Sequence, residues 1–136
     1  MATPNGLNPN FDGITFNPVT LTAAATNSAT NSIPPSVRVA NVTAVATNAD
    51  DWITLPDIAD VPIGHQIVIL ANAGSNFELR TPASSNTKIN DVDSDGSQEY
   101  LVTDTHIVYV TKRTTTGWAA LSQTKLGAVA TAVIPD

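Results

Sequence analysis

Short runs of Thr, Val and Ile, separated by Gly, Asn, Pro and Asp, fill the middle of this 136-residue chain. The two strongest runs, residues 66–70 and 106–110, have the length of β-strands. Both lack the apolar/polar alternation of a strand with one face in water, so we expect both of their faces to be covered. Short strands at this spacing predict an all-β fold: a small β-sandwich, jelly-roll or barrel-like domain.

Turn residues and composition divide the chain into three segments. We expect an extended N-terminal arm over residues 1–36, the β-domain over 37–121 and a C-terminal tail over 122–136. The Ile33-Pro34-Pro35 step forces an extended backbone and marks the first boundary. A helical period is visible only over residues 22–29, and it is weak. Within the domain, strands are predicted near residues 37–46, 51–55, 66–71, 77–80, 87–90, 97–103, 106–111 and 117–121.

The second face of the strongest strands needs a cover. In a chain of this length a second sheet can cover one face. The other face is covered either by a neighbouring subunit or by the N-terminal segment of the same chain, and the sequence leaves both open. The arm has the spaced apolar residues of a segment held on another surface, with a disordered tail as the alternative. These residues are Phe11, Ile14, Phe16, Val19 and Leu21, of which Phe11 and Phe16 are interface candidates.

The charge composition argues against several classes of protein. Twelve acidic and six basic residues give a net charge of −6, which is unfavourable for binding nucleic acid. Only 13% of the residues are charged, which suits a surface buried in an assembly. Without cysteine, disulfides, thiolate metal sites and a Cys nucleophile are excluded. Neither a membrane span nor a secretory signal is expected, because long apolar stretches are lacking and no basic residue precedes Arg38.

No catalytic set is visible, so we do not expect an enzyme. His65 follows a turn and His106 starts a strand, and neither has a second ligand at metal-binding spacing. The serines lack a Gly-x-Ser-x-Gly elbow. The four aspartates between residues 50 and 60 could supply the carboxylate pair of a glycosidase. Aromatic residues for a sugar cleft are scarce, so solvated turn residues are the better interpretation of these aspartates.

The segment from Asp91 to Gly96 matches the first half of a calcium loop. Carboxylates at alternate positions supply the hard oxygen ligands that calcium takes, and Gly96 permits the turn. The second half does not follow, since Val102 stands where a bidentate Glu is required. One interpretation is a calcium site formed by Asp91, Asp93 and Asp95. The other is an exposed Asp-rich turn held by side-chain hydrogen bonds to the backbone. No other cofactor is expected.

The two tryptophans are predicted to take opposite positions. In the strand over residues 51–55, Ile53 and Leu55 share the inner face, which places Trp52 outward with Thr54. Trp52 is therefore a candidate interface aromatic, with a rim position in the core as the alternative. Trp118 is expected to fill the core.

Four motifs occur in order along the central part of the chain. They are Val42-Thr43 leading to Thr54-Leu55-Pro56, the strand and turn from Gly64 to Gly74, Lys88-Ile89-Asn90, and Ile107-Val108-Tyr109-Val110 leading to Gly117-Trp118. In this order they resemble a β-domain that recurs in virion proteins of tailed bacteriophages. Members of that family serve as head decoration (cement) proteins, commonly trimeric, and as modules of head or tail fibres. The acidic insert and the long arm depart from the pattern.

The resemblance implies a structural virion protein, namely a capsid decoration or cement protein that binds the assembled head as a homotrimer and stabilises it. Its partners would be the major capsid protein and further copies of itself, with neither nucleic acid nor membrane. It would be made in the host cytoplasm and lie on the outer capsid surface. The alternative is a phage fibre or appendage module that recognises a host-surface glycan or protein.

Overall fold

The structure, a computed structural model, describes residues 18–26, 28–44, 51–82, 87–91, 100–102, 106–125 and 131–132. In these residues it contains ten β-strands and a short 3-10 helix (Ile58–Asp60). The all-β class predicted from the sequence is confirmed. The strands are β1 (Pro18–Ala23), β2 (Val39–Ala44), β3 (Trp52–Thr54), β4 (Gln66–Ala71), β5 (Phe77–Arg80), β6 (Lys88–Ile89), β7 (Tyr100–Val102), β8 (His106–Lys112), β9 (Gly117–Thr124) and β10 (Thr131–Ala132).

Seven strands form the larger sheet, in the order β1-β2-β4-β8-β9, with β6 and β10 both paired to β9. β1, β2 and β4 run parallel, whereas β4, β8 and β9 are antiparallel. A hairpin joins β8 and β9, and in its turn the N–H groups of Arg113 and Thr114 both donate to the Gly117 carbonyl. Parallel neighbours need a crossover connection. The chain between β2 and β4 therefore leaves the larger sheet and contributes β3 to the smaller one.

The smaller sheet has the order β3-β5-β7, with β3 parallel to β5 and β5 antiparallel to β7. Its edge strand β3 is joined by hydrogen bonds to the segment that follows β1. Ala24 and Trp52 exchange backbone hydrogen bonds of 3.4 and 3.2 Å. Thr54 donates to the Asn31 carbonyl at 2.8 Å and accepts from Ile33 at 2.9 Å. The two sheets are thus connected along one edge.

One cluster of buried apolar side chains combines residues of both sheets. In β4, alternate residues Ile67, Ile69 and Ala71 are buried, as the two-residue period of a strand requires. Trp118 is 1% exposed and Phe77 is fully buried, and these are the largest core side chains. The prediction that Trp118 fills the core is confirmed.

The β-structure extends beyond the segment that the sequence assigned to the domain. Pro18–Ala23, placed in the arm by the sequence, forms β1 and pairs with β2 along its full length. At the other end, β9 continues to Thr124, and Thr131–Ala132 of the predicted tail pairs with it. The weak helix predicted over residues 22–29 is wrong for the residues described there, which complete β1 and then bend.

The two strongest strands are not covered on both faces by the described part of the chain. In β8, Val108 and Val110 are buried, whereas Tyr109 between them is 41% exposed. In β4, Val68 and Leu70 are only half-buried. The apolar runs therefore do not mark strands enclosed within this part of the chain, and the cover expected for their second faces is not supplied there. Among the described residues, no helix has the length and apolar character needed to cross a membrane.

Candidate functional site

The side of the larger sheet that faces away from the core, here called the outer face, carries a row of apolar side chains. Strand register places Val39, Val68, Tyr109 and Leu121 next to one another across β2, β4, β8 and β9. Tyr109 is 41% and Leu121 48% exposed, and the two valines are half-buried. The adjacent row adds half-buried Leu70 and Ile107. We call these six residues the outer patch.

The rows of the outer face that cross β2, β4, β8 and β9 contain no charged residue within the described part of the chain. Charges begin at the margins. Lys88 pairs with Gly117 at one end of β9, and Lys125 follows the other end, where its ammonium donates to the Ala71 carbonyl. Between these margins the outer patch is framed by neutral polar residues: Thr20, Asn41, Gln66 and Thr111.

The smaller sheet has a different outer side. Trp52 is half-buried there, while Ile53 and Leu55 are buried, so the predicted orientation of this strand is confirmed. The guanidinium carbon of Arg80 lies 4.0 Å from the centroid of the Trp52 ring, a cation–π contact. Arg80 also forms an ion pair with Glu78 on the same strand. Trp52 is therefore an outward aromatic whose ring is partly covered by a charged neighbour, and its role in an interface stays a prediction.

His65 lies at the turn before β4, as predicted, and is buried. Its Nδ1 accepts a hydrogen bond of 2.6 Å from Arg38. Its Nε2 is buried without a hydrogen-bond partner among the described residues. Burial lowers the pKa of His65 below its ordinary value of 6.5, the cations of Arg38 and Lys112 lower it further, and the Val37 carbonyl acts in the opposite direction. This setting favours the neutral form of the ring.

Lys112 is buried, although in the sequence it is marked only by its position next to a second basic residue, Arg113. Because successive side chains of a strand point to opposite faces, Lys112 points into the core and Arg113 into solvent. The Lys112 ammonium donates to the carbonyls of Ile58 and Val61, both at 2.6 Å. It thereby holds the 3-10 helix against the end of β8.

Of the three predicted calcium ligands, only Asp91 lies within the described residues. It has a positive φ of 64°, and its carboxylate accepts two hydrogen bonds from Arg113, at 2.6 and 2.5 Å. Asp93 and Asp95 lie outside the described residues. No group of three or more His, Cys, Asp or Glu that could hold a metal occurs in the part of the chain that is described. The calcium site stays a prediction, and binding there would compete with the Arg113 ion pair.

The remaining sequence candidates lie in several places. Phe11 and Phe16, the interface candidates of the arm, precede the described residues. Asp57 caps the 3-10 helix by accepting from the Ala59 N–H at 3.0 Å, as expected for a turn residue. Asp51 is 9% exposed, so the interpretation of all four aspartates as solvated is wrong for this residue.

The motifs behind the virion-protein resemblance have structural roles in the fold. Gly64 and Gly74 adopt φ values of +88° and +76°, a region that side chains disfavour. The Asn90 side chain continues the β6–β9 pairing, because it donates to the Ala120 carbonyl and accepts from the Ala120 N–H. Comparisons of the chain with family models, with curated proteins and with solved structures give no match. A function for the chain therefore has to be argued from its own surfaces.

Proposed function

We propose that this chain is a structural virion protein, a capsid decoration or cement protein that binds the assembled head as a homotrimer and stabilises it. The observation that carries the proposal is the outer patch. Tyr109 and Leu121 are close to half exposed, and four half-buried apolar residues adjoin them. Contiguous exposed apolar surface on a folded domain commonly marks a site of protein association.

The charge pattern supports a protein partner. The net charge of −6 disfavours nucleic acid, whose phosphates would repel an acidic chain. A neutral apolar surface contributes affinity through burial rather than through charge. The proposed partners are the major capsid protein and other copies of the chain, with no enzymatic role.

A decoration protein binds a capsid more tightly when it contacts several shell subunits at once. A symmetric oligomer on the outer capsid surface contacts several shell subunits, and linked contacts of modest strength combine into tight binding. The predicted arm, with Phe11 and Phe16, is the proposed grip on the shell. In this proposal the protein is made in the host cytoplasm and joins the head after its assembly.

The second candidate is a fibre or appendage module that recognises a host-surface glycan or protein. The Trp52 side of the smaller sheet favours the fibre or appendage module. An outward aromatic ring beside charged groups that form hydrogen bonds can bind either a glycan or a protein. Arg80 and Glu78 supply those groups. A decoration role uses this side against the shell, whereas a fibre module presents it to the host.

The number of copies per particle separates the two functions. Quantitative mass spectrometry of purified virions gives the ratio of this chain to the major capsid protein. A ratio comparable with one chain per capsid subunit supports the decoration role, and a handful of copies per particle supports the appendage module. A chain missing from virions overturns both.

A further inference from the structure

We infer that the outer patch is the contact between copies of this chain, so that the larger sheets of three copies pack around a common threefold axis. The inference rests on the proposed homotrimer and names its surface. In a threefold arrangement the outer faces of three copies point toward the common axis. Tyr109 lies on β8, near the middle of the larger sheet, which places it at the centre of that contact.

Charge is the first argument for a second copy as the occupant. Every copy carries a net charge of −6, so two copies repel one another at long range. The rows of the outer face that cross β2, β4, β8 and β9 bring no like charges together, as described above. Lys88 and Lys125 stay at the margins, where solvent and salt screen them. Two acidic copies can therefore meet through this face without bringing like charges together.

The polar frame of the patch supplies the second argument. Thr20, Asn41, Gln66 and Thr111 carry hydroxyl or amide groups. Each such group can both donate and accept a hydrogen bond. A frame of this kind can pair with a symmetry-related copy of itself, whereas a frame of cations or of carboxylates could not. Both the apolar centre and the polar rim of the outer face can therefore contact the same face of another copy.

The size of the face determines how strong the contact can be. The five long strands β1, β2, β4, β8 and β9, about 4.8 Å apart and with about five residues of about 3.3 Å each, give a footprint of roughly 400 Å². Stable interfaces bury about 800 Å² on each partner. The face supplies the apolar centre and about half of the area of such an interface. We therefore expect association that depends on protein concentration rather than a permanent complex.

The experiment compares three substitutions in the full-length chain by sedimentation velocity over a range of concentrations. Tyr109→Lys and Leu121→Lys place a cation in the outer patch, and Ile63→Lys is the matched control. Ile63 is an apolar residue that is 62% exposed, but it lies on the turn before β4 and outside the outer face. Each substitution changes the net charge from −6 to −5 and so weakens the general repulsion. Melting curves show whether each variant is folded.

We expect the wild-type chain and Ile63→Lys to associate alike, and both patch variants to need at least tenfold higher concentration for the same degree of association. Equal association of all four proteins overturns the inference. A wild-type chain that is monomeric at every concentration also overturns it, since the patch is then covered by another part of the chain or by a different protein. The copy number in virions is measured independently. A monomer present at high copy number refutes this inference and the proposed homotrimer but leaves the decoration role standing, whereas a self-associating chain missing from virions refutes the proposed function alone.

Discussion

The guanidinium of Arg38 donates a hydrogen bond to Nδ1 of the buried His65 ring, with the two nitrogens 2.6 Å apart. Arginine has no acceptor, so Nδ1 must be the unprotonated nitrogen, and a neutral ring carries its proton on Nε2. Protonation of Nδ1 would break this bond and place a third cation beside Arg38 and Lys112. The contact therefore requires a neutral histidine.

This relationship makes the stability of the fold dependent on pH. Burial and the neighbouring cations hold the pKa of His65 below 6.5 in the folded chain. Above pH 6.5 the ring is neutral in both the folded and the unfolded states, and its stabilising contribution is complete. As the pH falls below 6.5 the unfolded chain takes up the proton first, so the free energy of unfolding decreases until the folded pKa is passed. Urea unfolding at closely spaced pH values measures this decrease.

Substitution of the histidines identifies the group responsible. His65→Gln should flatten the dependence below pH 6.5, at some cost in stability at neutral pH. His106→Gln, at the only other histidine of the chain, is the matched control. A slope that survives in His65→Gln would assign the effect to other groups.

The buried ammonium of Lys112 gives the second prediction. Lys112→Met keeps an apolar stem of similar length but leaves the carbonyls of Ile58 and Val61 without their donor. Unpaired buried acceptors are costly, so we expect a loss of about 1–3 kcal/mol in the free energy of unfolding. Arg113→Met is the matched control at the next position. Its ion pair with Asp91 is exposed, and the expected change is within about 0.5 kcal/mol. Equal effects of the two substitutions in denaturant unfolding would contradict the assignment.

Lys112 also illustrates what the sequence could and could not predict. Strand positions follow from local composition and turn residues, and Gln66–Ala71 and Phe77–Arg80 were predicted with their observed bounds. The burial of Lys112 depends instead on which face of β8 meets the core and on two carbonyls more than fifty residues away in sequence. The adjacent charged residues in the sequence indicate neither which face of β8 meets the core nor where these two carbonyls lie.

The elements that the sequence does not predict also depend on contacts between distant parts of the chain. Composition and spaced apolar residues predict an arm where β1 lies. Its pairing with β2 is parallel, so the sequence lacks the tight turn that would reveal a hairpin. The sequence does not predict the uncovered side of β4. Val68 and Leu70 are apolar, and an apolar residue is equally suited to burial by the sheet, by another segment or by another copy. For the candidate surfaces, the sequence predicted the outward position of Trp52 correctly, but the row from Val39 to Leu121 required the register of four strands.

The third prediction concerns Asn31, which is fully buried where the two sheets are joined. Its side-chain nitrogen donates to the carbonyls of Ala24, Thr26 and Trp52 at 2.9–3.2 Å. Asn31→Ala removes this side-chain donor; the carbonyls of Ala24 and Trp52 keep the backbone hydrogen bonds that they exchange, whereas the Thr26 carbonyl loses its donor. We expect the free energy of unfolding to fall by about 1–3 kcal/mol. Thr30→Ala, at an exposed neighbouring position, should change it by less than about 0.5 kcal/mol. Thermal unfolding of both variants provides the measurement, and a stable Asn31→Ala variant would show that the two sheets do not depend on this side chain.

The last prediction separates the two outer sides of the molecule. Trp52 lies on the smaller sheet and the outer patch on the larger one, so a decoration protein that meets its own copies through the patch keeps Trp52 for the shell. Trp52→Ala should then lower the occupancy of the chain on capsids at least tenfold and leave its self-association in solution unchanged.

Thr54→Ala, two residues along the same strand and also outward, is the control and should keep both properties. Loss of the Arg80 contact should cost about 0.5–1 kcal/mol of stability, and loss of the half-buried ring adds to this cost, so a melting curve checks that the variant is folded. Occupancy measured by cryo-electron microscopy of decorated particles, together with sedimentation of the free protein, tests this directly. Reduced self-association with normal occupancy would show that the roles of the two sides are reversed.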